Sequence, residues 1–158
     1  METENKSKNL IGFVGRFTLA HVVTYVVFGI IFYNLVNYTK IFASPEMSLL
    51  MRPTSSKWVK MAPLFQFLRG ALMGLGFYPF RRIILEEKGG WWKMFFFLLV
   101  FTSLCAVITG PGSTEGMLYT ILPLKYHIVV MPEVAIQMLV FSVWFTAWEK
   151  KRETAVEK

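Results

Sequence analysis

The sequence predicts an all-α integral membrane protein, a bundle of four transmembrane helices. A short interfacial or re-entrant helical hairpin is expected between the third and fourth spans. Three observations carry that expectation. The 158 residues are 54% hydrophobic and only 17% charged, well below the charge fraction of an ordinary soluble domain. The charges gather at a few points. Between those points lie apolar runs of about 20 residues, the length that crosses a hydrocarbon core.

The first element follows a polar, mixed-charge stretch, residues 1–9, read as a cytoplasmic tail. Phe17–Thr39 is free of formal charge and Leu10–Val14 extends it, so the first span is expected over about 10–39. It is too long for the core of a signal peptide and is read as retained. Lys40–Lys60 is charged and broken by Pro45 and Pro53, which predicts an interfacial loop or short surface helix. The second span, 61–80, holds one charge, Arg69, near its middle, and ends at Pro79 and the pair Arg81–Arg82. Gly70-x-x-x-Gly74 gives it a small-residue face for close helix packing and for self-association.

Trp91, Trp92 and Lys93 anchor a third span at an interface, running from 91 to 109. Gly110–Ser113 is a turn by composition, and Ser113 is placed to cap a short helix carrying Glu115 and stopped by Pro123. The fourth span, 131–148, is expected to start near Pro132, with 149–158 as a charged, solvated cytoplasmic tail. The transmembrane domain is thus 10–148. With four spans both termini share one side, which collects eleven Lys and Arg against five opposite. The positive-inside rule makes that side cytoplasmic.

Composition narrows function by exclusion. A net charge of +7 invites comparison with nucleic-acid binders, but the cations flank apolar runs instead of forming a stripe, so no nucleic-acid partner is expected. One Cys and two His at different depths furnish neither a metal site nor a haem site, so no cofactor is expected. Cys105 has no second cysteine and reads as a small hydrophobe.

The informative positions are the polar ones inside the spans. Arg69 at mid-span needs water or a partner, since an unrelieved charge there costs from about 2.5 to above 10 kcal/mol. Gln66 lies three residues before it on the same side. His21 is mid-span in the first helix, with Thr18, Thr24 and Tyr25 on its side. Glu133 and Gln137 make a stripe on the fourth helix, and Thr102, Cys105 and Thr109 one on the third. Arg69, His21, Gln66, Glu133 and Gln137 are therefore the candidate ligand-binding or pathway residues, with Glu133 the nearest acid for Arg69. Gly70 and Gly74 are packing residues. Glu115 and His127 are outer-hairpin candidates, Glu115 facing solvent and His127 near an interface.

Three functions follow from this pattern. The leading one is transporter- or channel-like binding or passage of a small polar or anionic ligand or a proton. The second is a structural or accessory subunit of a membrane assembly. The third is a membrane enzyme acting at the outer face on a lipid headgroup. The expected partners are the lipid bilayer, a small polar ligand, and further copies or a larger membrane complex.

Overall fold

In a computed structural model, residues 2–85, 87–106 and 110–156 are described. Their regular structure is helical, and they contain no strand. The order is α1 (Glu2–Val36), α2 (Tyr38–Phe42), α3 (Pro45–Ser48), α4 (Lys57–Lys60), α5 (Ala62–Phe77), a 3-10 turn (Tyr78–Phe80), α6 (Arg81–Leu85), α7 (Gly90–Leu99) continued by a π turn (Val100–Leu104), α8 (Thr114–Tyr119) and α9 (Leu124–Val156).

Among the described residues two stretches are long and apolar enough to cross a membrane: Asn9–Val36 and Leu124–Arg152, each with a mean hydropathy of 1.9. The other two expected spans are shorter than the sequence suggested. Pro79 lacks an amide hydrogen, so the second helix tightens into the 3-10 turn after the 16 residues of α5. Its length is about 24 Å at 1.5 Å per residue. The third ends at Leu104 instead of 109. There the Cys105 N–H bonds the Val100 carbonyl at 2.7 Å and the Thr114 hydroxyl takes the Leu104 carbonyl at 2.8 Å. Thr109 lies outside the described residues.

The ends of the outer helices also differ from expectation. Residues read as an N-terminal tail belong to α1, which starts at Glu2. At its far end α1 breaks at Asn37, whose φ of 57° lies in the left-handed region and whose side chain caps α2. The fourth helix starts not near Pro132 but at Leu124, directly after Pro123, whose carbonyl accepts the Tyr126 N–H at 3.0 Å. Pro132 therefore sits inside α9 and leaves the Ile128 carbonyl without its usual partner. Residues read as a C-terminal tail extend α9 to Val156.

The connections follow their local chemistry. The segment between 40 and 60 forms short helices. Ser113 accepts the Gly116 N–H at 2.9 Å and so caps α8.

Four helices pack in alternating directions. Gly74 of α5 lies against Val14 and Phe17 of α1, while Gly70 lies against Thr18 and His21, so the pair is antiparallel. The small-residue face is thus occupied within the chain by α1. Phe13 and Phe17 of α1 meet Phe145 and Phe141 of α9 respectively, and Met94 of α7 meets Thr146 of α9 while Lys150 of α9 reaches the Glu87 carbonyl just before α7, giving two further antiparallel pairs. The main core gathers Phe13, Phe17, Phe77, Leu98, Phe141 and Phe145. A smaller cluster of Met47, Leu122 and Tyr126 closes the other end. A hollow remains between the two.

Candidate functional site

That hollow is a cavity of about 290 Å³. Its walls come from α1, α5, α7 with its π turn, and α9. His21 and Tyr25 project from α1, Arg69 from α5, and Glu133 and Gln137 from α9. Phe42, Met47 and Met51 cover the outer side, and Met73, Leu98 and Phe141 the core side.

Arg69 is the eighth residue of the 16 in α5, so its guanidinium is presented from the middle of the helix. Arg69 is exposed and lines the cavity, and among the described residues its side chain has no hydrogen bond or ion pair. The expected pairing of Arg69 with Glu133 is not formed. The Tyr38 hydroxyl donates to the Glu133 carboxylate instead. Because α9 begins at Leu124, Glu133 is ten residues into the helix and outside the turn where the helix dipole stabilises an acid. Tyr38 supplies the stabilising donor. It follows Asn37, and the left-handed residue there turns α2 back over the cavity.

His21 is 8% exposed, and its Nε2–H donates to Gln66 Oε1 at 3.1 Å. Gln66 is thus drawn to α1 and is not among the cavity-lining residues, whereas Gln137 is. Thr18 and Thr24 turn their hydroxyls to the Val14 and Ala20 carbonyls of their own helix, and Thr102 does the same with Leu98. Of the polar neighbours expected beside His21, Tyr25 is the one that reaches the cavity.

The outer-hairpin candidates stand apart from this group. His127 is not near solvent: it is 1% exposed, and its Nδ1 accepts the Gly112 N–H at 3.2 Å. Glu115 is half-buried on α8. Neither lines the cavity. Among the described residues no three His, Cys, Asp or Glu side chains converge to hold a metal ion.

Sequence reasoning missed two contributors. Tyr38 gave no signal because an aromatic at a span end reads as an interface residue. Glu149 was read as the start of a solvated tail, yet it is 3% exposed and takes both Nε and Nη2 of Arg16. This pair fixes α1 to α9 beyond the core, on the opposite side of it from the cavity. Among the described residues the arrangement is a small chamber with one unpaired cation, one acid bonded to a tyrosine hydroxyl and several other hydrogen-bonding groups. Comparison with protein families, with curated proteins and with solved structures finds no match for this chain.

Proposed function

We propose that this is a multi-pass membrane protein whose inner chamber binds or passes a small polar or anionic solute, in the manner of a transporter or channel. The reading rests chiefly on the unpaired Arg69 guanidinium facing a chamber it shares with His21, Glu133 and Gln137. A charge held only to clamp helices would be bonded to carbonyls or an acid. This one is left available to an incoming group.

The membrane setting has its own support. Leu64, Phe67, Leu68, Leu72 and Leu75 of α5 are all exposed, as are Phe97 and Phe101 of the α7 segment. An apolar surface of that extent on short helices suits lipid contact and not water. In this reading α5 and the α7 segment cross beside α1 and α9 despite their length, by local thinning of the bilayer or by interface residues reaching outward. Positive flanks place both termini in the cytoplasm.

A second reading, a packing subunit of a larger membrane assembly, is favoured by the His21–Gln66 bond and the Arg16–Glu149 pair, which use polar groups for helix contacts alone. Reconstitution separates the two. Purified chain in liposomes is tested for flux of chloride, phosphate and acetate in turn, with Arg69→Leu and Arg69→Lys alongside. The transport reading expects flux above that of protein-free liposomes. Arg69→Leu should lower it at least about tenfold while folding normally, the loss of one charge-assisted contact. Absence of flux with all three anions, or equal flux in Arg69→Leu, favours the packing role.

A further inference from the structure

On the flank of the bundle an open groove of about 900 Å³ runs between the second half of α1 and the corner where α4 meets α5. Its trough is apolar, made by Val26, Gly29 and Ile30 of α1 with Leu50 and Pro63 opposite. Gly29 supplies depth: a methyl group added there would meet nothing within 4 Å.

The rim has a different character. Arg52, Trp58 and Lys60 stand along it and are all exposed, with the Arg52 guanidinium 5.7 Å from the centre of the Trp58 ring. Among the described residues neither the Arg52 nor the Lys60 side chain has a hydrogen bond or an ion pair. The single acid of the groove wall, Glu133, is already taken by Tyr38. Two unopposed cations beside an interface tryptophan, at the mouth of a greasy trough, complement a molecule with a negative head and a hydrocarbon tail.

We infer that this groove is a binding site for an anionic phospholipid of the surrounding bilayer. The acyl chain lies along Val26–Ile30 and the phosphate meets Arg52 and Lys60. The inference needs the chain to lie in a bilayer but does not need the inner chamber to carry a solute, since Arg69 lies outside this groove.

Native mass spectrometry tests it. The full chain in detergent is offered equal amounts of phosphatidylglycerol and phosphatidylcholine, and lipid retained per chain is counted. Phosphatidylglycerol should be retained preferentially, by roughly fivefold for each rim cation. Arg52→Gln with Lys60→Gln should abolish the preference. Gly29→Leu should lower retention of the lipid itself. Ile30→Trp fills the same trough from an exposed position and serves if Gly29→Leu fails to fold. Lys151→Gln with Arg152→Gln, exposed at the far end of α9, should behave as wild type. Equal retention of the two lipids overturns the anionic occupant. Retention unaffected by filling the trough overturns the groove as its site and leaves surface attraction only.

Discussion

Arg16 of α1 and Glu149 of α9 form a two-pronged ion pair, Nε to one carboxylate oxygen and Nη2 to the other, across 133 positions of sequence. The Arg16 side chain is 16% exposed and that of Glu149 4%. Removing one member strands the other in a mostly dry site. Glu149→Gln should therefore destabilise the chain toward the lower end of about 3–5 kcal/mol. Arg16→Met with Glu149→Met together should cost less than either single change, because no charge is left behind. Denaturation in mixed micelles, followed by circular dichroism, compares wild type, Glu149→Gln, the two single Met variants and the double variant. A double variant as unstable as the sum of the singles would show that the pair is not coupled.

Close backbone approach makes a second set of outcomes. A Cβ at Gly90 would run into the Ile84 carbonyl, and one at Gly70 would lie 3.0 Å from the Thr18 Cα. Neither neighbour is a flexible side-chain tip. Gly90→Ala should disrupt the α6–α7 turn, and Gly70→Ala should cost about 1–3 kcal/mol by overpacking. Gly76 on the same helix faces open space, so Gly76→Ala should gain up to about 1 kcal/mol from helix propensity. The three melting curves, taken in one detergent, check the order.

Glu46 ties α3 to α9 in a pH-dependent way. Its own backbone N–H, then the Tyr126 hydroxyl and the Lys125 charge, hold its carboxylate below the usual 4.5. A depressed folded-state value means the contribution is present above the unfolded value and is lost as pH falls through the folded one. Thermal midpoints of wild type and Glu46→Gln should thus lie furthest apart near neutral pH and converge on strong acidification. A gap that widens with acid would reverse the sign of this argument.

Much of the fold was legible because its causes are local. Apolar runs forecast the two long helices, Pro45 and Pro53 the broken segment, and Ser113 the cap of α8. Arg69 and His21 stood out because hydrophilic groups are costly inside apolar runs. What was illegible depends on partners. Arg16 and Glu149 each sit where an interface anchor would, so hydropathy assigns them to water when they bond each other. Pro132 has the local form of a helix start. The turn after Pro123, anchored by Tyr126 on Ser44 and Glu46, starts the helix earlier and carries it through. Gln66 shares a helix side with Arg69, yet a histidine on the neighbouring helix claims it.

Tyr38 offers a test of how the chamber keeps its cation free. Its hydroxyl occupies the Glu133 carboxylate, and both Glu133 and Arg69 line the same cavity. Tyr38→Phe removes the donor without changing the ring or either charge. In a chamber of low effective dielectric a carboxylate without a partner is costly and will take the nearest donor by side-chain rotation or through a water. Arg69 is an unpaired cation on the wall of the same cavity. On the proposed function, solute flux or binding should then fall several-fold in Tyr38→Phe, as an internal acid competes for the guanidinium. Adding Glu133→Gln should restore it, since the competing charge is gone while Arg69 is untouched. A Tyr38→Phe chain that folds and carries solute at the wild-type rate would mean that Glu133 does not compete for Arg69. Loss that Glu133→Gln fails to rescue would place the Tyr38 hydroxyl itself on the solute.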